Sequence, residues 1–463
     1  MKVLTLICAI FLLTLMSSAQ SGRDVPKDFH SWAPTPPMGW NSWDCFGPTV
    51  VESEVKANAD YMATHLKKYG WEYIVIDIRW YVDNDKAHGY NEKDPSFVMD
   101  QYGRFLPSPV RFPSSANGAG FKPIADYIHS KGLKFGFHLM RGIPKLAVQR
   151  NTPVLGSRVK AAGIYNENQL CKWLKDMYTV DYQKEGAQEY YNSLFNLYAS
   201  WGLDFIKIDD LSSPYHQGEI ELIRKAIDQC GRKIVLSTSP GETPVEFAGH
   251  IRDHANMWRT VNDLWDNWKQ LKQEFEVCSR WSGYIGEGHF PDCDMLPLGH
   301  IGIRAERGND RMSLLTKDEQ ITMMTLFAIF RSPLMFGGNL PDNDEFTLSL
   351  LTNKAVLSVN QHSINNKQLF NREGLIAWTA NDPDNGDIYL AVFNTRDSDS
   401  SKGVAGEKTA GEKIAVQMDQ LGIKGSCKIK DLWSGKSVGT FEGTFAPVIR
   451  PHASGLYRIT AKK

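Results

Sequence analysis

Phe205-Ile206-Lys207-Ile208-Asp209-Asp210, reached through Trp201-Gly202-Leu203-Asp204, is the stretch from which the rest of the chain can be read. Its apolar residues, bounded by Gly202 and by Ser212-Ser213-Pro214, predict a short buried strand. Lys207 and two carboxylates sit toward its C-terminal end, where charge is costly in a strand buried on both faces unless it is paired or belongs to a site. Alternation places Lys207 and Asp209 on the same side. An ammonium beside Asp209 keeps it ionised, as a nucleophilic carboxylate requires. A structural ion pair capping a strand end would show the same residues.

Working outward, the same unit recurs. The stretches Thr35 to Trp43, Tyr73 to Ile78, Leu133 to Leu139, Lys233 to Thr238, Met257 to Val261 and Ser332 to Gly338 read as strands. Helical stretches are expected at 52–69, 121–131, 187–201 and 317–330. Strands alternating with helices over more than 300 residues imply a parallel sheet. Polar or aromatic residues at successive strand ends favour a closed (β/α)8 barrel, an α/β fold, over an open sheet. The glycine pattern of a dinucleotide loop is missing, which points the same way. Beyond residue 362 the pattern changes to short apolar runs between turn residues, among them 375–378, 388–393, 413–416, 427–433 and 455–459. These predict a C-terminal antiparallel β-sandwich over 363–463, after a barrel over 20–362. The polar segment Asp397 to Gly411 reads as a loop.

With a formal net charge of -1, nothing suggests a nucleic-acid footprint, a polybasic membrane patch or an acidic tail. Residues 1–19 read as a signal peptide: a basic start, an apolar run to Met16, and Ser17-Ser18-Ala19 before the cut. No later segment is apolar for long enough to span a membrane. An exported protein, periplasmic or extracellular, is therefore expected. Of seven cysteines, Cys8 leaves with the signal, and the other six are scattered without a Cys-x-x-Cys pair. No metal site is expected, and the spacing names no disulfide partners.

Strand ends offer Asp77, Lys207 with Asp209, Arg259 with Asp263, and Asp292 with Asp294. Each alone could be a helix-cap acid or a surface pair. Eight strand ends surround one cavity in a barrel, however, and two facing carboxylates meet the need of glycosidic cleavage, with Trp43 able to stack on a sugar face.

From Pro36 to about His362, and more weakly beyond, the sequence resembles glycoside hydrolase family 27, the α-galactosidases. The matching parts are Pro37-Met38-Gly39-Trp40-Asn41-Ser42-Trp43, Tyr73 to Asp77, Ala125 to Lys134, Phe205 to Asp209, Trp258-Arg259 with Asp263, and Asp292 to Met295. The resemblance implies Asp209 as nucleophile and Asp263 as acid/base. It implies Trp43 as a platform and Asp77, Lys207, Arg259 and Asp294 as partners of sugar hydroxyls. It further implies a retaining reaction through a glycosyl-enzyme, with no cofactor.

Departures from the family pattern bear on the sugar. The second acid usual after the second strand is Ile78, followed by Arg79, so an acceptor for the 4- and 6-hydroxyls is missing. The loop that reads the 2-hydroxyl is Thr238-Ser239-Pro240, and the usual Tyr after the third strand is His138. Two family disulfide positions are Arg79 and Leu211, leaving Cys45 without its usual partner. Ser239 and His138 are therefore taken as further substrate-binding residues, and His138 and Arg79 are expected to line the pocket beside Asp77. The first expectation is cleavage of terminal α-D-galactosyl residues from oligo- or polysaccharides. Its alternatives are another member activity, isomalto-dextranase or β-L-arabinopyranosidase, or a non-catalytic carbohydrate-binding protein.

Overall fold

The computed structural model describes residues 28–397 and 410–461. The expected signal peptide and most of the expected loop at 397–411 lie outside the described residues. Eight short strands form one parallel sheet: β1 (Met38–Asn41), β2 (Tyr73–Ile76), β3 (Lys134–Met140), β4 (Phe205–Asp209), β5 (Val235–Thr238), β6 (Met257–Arg259), β7 (Phe290–Asp292) and β8 (Leu334–Phe336). Their order in space is β7-β6-β5-β4-β3-β2-β1-β8, so each strand lies beside its neighbour in sequence except at the seam. There Leu296, just past β7, pairs in parallel with Phe336, and its amide donates to the Met335 carbonyl at 2.8 Å. The sheet thus curls into a barrel, and every strand delivers its last residues to the same end.

Helices cover the outside: α1 (Glu52–Tyr61), α2 (Lys122–Ser130), α3 (Ala187–Trp201), α4 (Gln217–Gln229), α5 (Ala248–Arg252), α6 (Trp268–Trp281) and α7 (Lys317–Phe330). Local chemistry sets their ends. Asn267 caps α6 by accepting from the Gln270 amide at 3.0 Å, and Thr316 and Glu319 form a reciprocal box at the start of α7. The helix expected over 52–69 is regular only to Tyr61, and the following turn is π-helical. There the Thr64 hydroxyl donates to the Asp60 carbonyl and His65 Nδ1 meets the Tyr61 carbonyl, competing for backbone acceptors.

Strands packed on both faces explain the continuous apolar runs: Ile206 and Ile208 are fully buried, as are Ile74, Val75 and Ile76. Cutting one such side chain back to alanine costs about 2–5 kcal/mol. Strand approach is tightest at Gly39, where a Cβ would lie 2.6 Å from the Tyr73 carbonyl oxygen.

After β8 two helices, α8 (Glu345–Thr352) and α9 (Lys354–His362), lead into a six-stranded antiparallel sheet. It comprises β9 (Ile364–Arg372), β10 (Leu375–Asn381), β11 (Ile388–Asn394), β12 (Ser426–Asp431), β13 (Ser437–Glu442) and β14 (Ser454–Ala461). Two short pairs, 412–413 with 448–449 and 416–417 with 444–445, close its second layer. A separate core of Leu390, Val392, Ile414, Val416, Ile429, Phe445 and Ile459 lies within it. Helix α7 is buried on nearly every side. The sandwich reaches it through Trp433 Nε1, which donates to Thr325 Oγ1 at 2.9 Å, and through the His452 carbonyl, which accepts from Thr322 Oγ1 at 2.8 Å.

Candidate active site

The C-terminal ends of the strands surround a cavity of about 550 Å³. Trp43, Asp77, His138, Lys207, Asp209, Arg259, Asp263 and Asp294 all line it. They come from β1, β2, β3, β4, β6 and β7 or the residues just past them, so residues spread over more than 250 positions meet at one place.

On one wall the acids are buried and heavily partnered. Register sets Lys207 of β4 opposite His138 of β3. His138 Nδ1 donates to Asp77 Oδ1 at 2.6 Å. Its Nε2 lies 2.9 Å from Asp209 Oδ1 but without hydrogen-bond alignment, so this contact is chiefly one of charge. Lys207 Nζ is 3.5 Å from Asp77 Oδ2 and 3.9 Å from Asp209 Oδ1. Asp77 also accepts from Asn41 Nδ2 at 2.9 Å and from the Ile78 amide at 2.8 Å. Burial alone would raise both carboxyls, but the charges of His138 and Lys207 outweigh it and hold Asp77 and Asp209 below the ordinary carboxylate value. The same pairs hold His138 above its ordinary value, against the opposing effect of burial. Among the described residues no hydrogen bond falls on Asp209 Oδ2.

The opposite wall is built on Arg259. Its Nη1 and Nη2 donate to Asp263 Oδ1 at 3.1 and 3.0 Å, and Nη2 also lies 2.9 Å from Asp294 Oδ1. Asp294 Oδ2 accepts the Leu264 amide at 2.7 Å, which fixes the turn after Asp263. Burial pushes Asp294 up to about 7, with Arg259 opposing and Asp263 adding to the rise. The Asp263 side chain is 36% exposed, against 8% for Asp209.

Two expected residues, and the acid that follows Asp209, are placed differently from the rest. Ser239 is buried and does not line the cavity; its Oγ donates to Asp209 Oδ1 from behind. Arg79 does not line the cavity either, contrary to expectation: with a left-handed backbone (φ 63°) its guanidinium turns to Asp85 and Asp176, each 3.3 Å away. Asp210, also left-handed (φ 64°), leaves the strand direction and pairs with Arg141 at 2.8 Å.

The sequence reading missed Asp44, Tyr90, Trp173 and Glu306, all of which line the cavity. Asp44 follows Trp43 at the end of β1, and that position was the available signal. Burial holds its carboxyl well above the ordinary value, and its Oδ2 lies in a space that a Cβ on Gly337 would fill. Among the described residues, Glu274, Cys278 and Cys293 are the one group with metal-ligand spacing, and they lie outside this cavity. All six described cysteines are free thiols, Cys45 included.

Comparison with known proteins agrees with this geometry. The family model for alpha galactosidase A matches residues 174–362, and that for the alpha galactosidase C-terminal beta sandwich domain matches 373–459. The crystal structure of a GH27 β-L-arabinopyranosidase from Geobacillus stearothermophilus is 49% identical with a TM-score of 0.89, covering 93% of this chain and 98% of that one. The chain belongs to glycoside hydrolase family 27. A complex of a variant of that Geobacillus enzyme with arabinose is 48% identical, with a TM-score of 0.90, over 95% of this chain and all of the other. Alpha-galactosidase 2 of Arabidopsis thaliana is 27% identical over 93% of this chain and 90% of its own length. The family 27 protein described here is thus a glycoside hydrolase acting on a sugar substrate, and none of its described helices is long and apolar enough to cross a membrane.

Proposed function

We propose that the protein is an exported, retaining β-L-arabinopyranosidase that removes a terminal sugar from an oligo- or polysaccharide. The observation that carries this reading is Ile78, which is buried, lines the cavity and follows Asp77 directly. β-L-Arabinopyranose has the ring and hydroxyl configuration of α-D-galactopyranose, with hydrogen in place of the hydroxymethyl group on C5. A second acid at position 78 would lose one of its two hydroxyl partners with a sugar that lacks the 6-hydroxyl. An apolar side chain suits the bare C5 methylene and offers a hydroxymethyl group no acceptor. The 49% identity to the Geobacillus arabinopyranosidase supports the same choice over galactose. Export rests on the signal-like residues 1–19.

In this reading Asp209 Oδ2 attacks the anomeric carbon as Asp263 gives its proton to the leaving oxygen. The product is a glycosyl ester on Asp209 and a free alcohol. Water then gives a proton back to Asp263, attacks the same carbon and releases Asp209. No step calls for a metal or organic cofactor. Trp43 forms the platform under the ring, and Asp77, His138, Lys207, Arg259 and Asp294 meet its hydroxyls, while Ser239 holds Asp209 in place.

The test is kcat/KM on 4-nitrophenyl β-L-arabinopyranoside and α-D-galactopyranoside, with Ile78→Asp beside wild type. The wild type is expected to favour the arabinopyranoside and the variant to move toward the galactoside by roughly 10- to 100-fold. A wild type that favours the galactoside overturns the choice of sugar.

A further inference from the structure

The cavity is larger than its terminal sugar requires. A pentopyranose has about ten non-hydrogen atoms, each smaller than a water with its ~30 Å³ share of liquid volume, so it fills well under ~300 Å³ of the cavity. The remainder is walled by aromatic rings that follow one another outward. Tyr90 lies 6.0 Å from Trp43, centroid to centroid, and Trp173 lies 6.5 Å from Tyr90, with interplanar angles of 30° and 33°. Trp43 is buried; Tyr90 and Trp173 are half-buried.

These outer rings come from separate loops that are tied together. Tyr90 belongs to the loop between β2 and α2, and Trp173 to the segment between β3 and α3. The buried Arg79 joins them: it pairs with Asp85 of the first loop and Asp176 of the second, and its guanidinium lies over the Tyr90 ring, 5.3 Å from the centroid. A third loop, after β7, brings Glu306 to the same mouth. Tyr90, Trp173 and Glu306 line the same cavity as Asp209 and Asp263, and the charges of Asp209, Asp77 and Asp263 all act on Tyr90, so this mouth opens over both carboxylates. A terminal sugar seated at the strand ends, on Trp43, leaves only the outward direction, toward these rings, for its leaving group.

We propose that Tyr90 and Trp173, with Glu306 at their edge, bind the leaving-group sugar of the substrate. The ligand is a neutral pyranose whose apolar face stacks on Trp173 while its hydroxyls meet the carboxylate. Half-buried rings with charged groups at their edges suit a saccharide; a lipid chain would need a continuous apolar groove. The subsite rests on the retaining glycosidase reading above, since it serves the step in which the leaving group departs.

That step gives the test. In a retaining enzyme kcat/KM covers events up to departure of the leaving group, whereas kcat on an activated aryl glycoside reports hydrolysis of the glycosyl ester, after that group has gone. Trp173→Ala is expected to lower kcat/KM on a neutral β-L-arabinopyranosyl disaccharide by roughly tenfold or more. It should leave kcat on 4-nitrophenyl β-L-arabinopyranoside within about twofold. Trp173→Phe should recover most of the loss, and Arg79→Met should reproduce part of it by releasing Tyr90. Unchanged disaccharide kinetics, or an equal fall in kcat on the aryl glycoside, would overturn the subsite. If wild type cleaves only the galactoside, the choice of terminal sugar fails. The same comparison with an α-galactosyl disaccharide then decides the subsite independently.

Discussion

The two walls of the cavity hold their carboxylates in opposite ways. Asp209 is buried, flanked by His138 and Lys207, and braced by Ser239 from behind. Asp263 is a third exposed and shares one cation, Arg259, with Asp294. Burial between two cations suits a group that must stay ionised and attack. Partial exposure suits a group that gains and loses a proton in each half of the reaction. On the proposed reading, two aspartates of the same intrinsic acidity would acquire different tasks from their surroundings alone.

The largest effect should come from removing the proposed nucleophile. Asp209→Asn keeps the size of the side chain, and its activity on every glycoside should fall about 10⁴-fold or more. Residual turnover near wild type would assign the attack to another group. Asp263→Ala should be milder and should depend on the leaving group, losing about 10²- to 10⁴-fold on a disaccharide and less on a 4-nitrophenyl glycoside, which departs with little protonation. An equal loss on both substrates would mean that Asp263 is not the proton donor.

A pH profile tests what keeps Asp209 ionised. With Asp209 held below the ordinary value by His138 and Lys207, the acid limb of kcat/KM should lie below about 3.9. His138→Gln removes one cation while burial remains, so that limb should move to higher pH. At the other end, His138 is held above its ordinary value and keeps its charge past about 6.5, so its help in holding Asp209 ionised is intact across the whole acid limb. An acid limb that stays in place in His138→Gln would leave Lys207 as the sufficient cation.

Much of this arrangement was legible in the sequence, for physical reasons that differ by residue. Lys207 and Asp209 stand out because charge at the end of a strand buried on both faces needs an explanation. The helices 187–201 and 317–330 were readable from their length and apolar content. Strand β7, only Phe290–Asp292, carries too few residues for any periodicity, so Asp292 and Asp294 were seen before the strand that positions them. Strands β9 and β13 were missed because they are largely exposed, Ile364–Arg372 being mostly polar. Arg79 was misplaced because its left-handed backbone aims the side chain away from the strand direction, and no pattern of period two reports that. Tyr90, Trp173 and Glu306 sit on loops, where spacing along the chain says nothing about which cavity a side chain reaches.

The smallest expected effect separates holding a catalytic group from touching the sugar. Ser239 sits in a loop first read as a contact for a sugar hydroxyl, yet its hydroxyl is buried against Asp209 Oδ1. If its role is to hold the carboxylate, Ser239→Ala removes one hydrogen bond to a charged group, worth about 1.5–3 kcal/mol. Rotation of Asp209 toward Lys207 would recover part of that. The expected outcome is a fall of roughly tenfold in kcat/KM on any leaving group, carried by the attack on the sugar, with the acid limb moved slightly upward. A contact to the sugar would behave otherwise: KM would rise, the limb would stay in place, and the loss would vanish for a substrate lacking the contacted hydroxyl. Measured on the 2-deoxy analogue of the aryl glycoside, Ser239→Ala should still lose its tenfold, because the partner it has lost belongs to the enzyme.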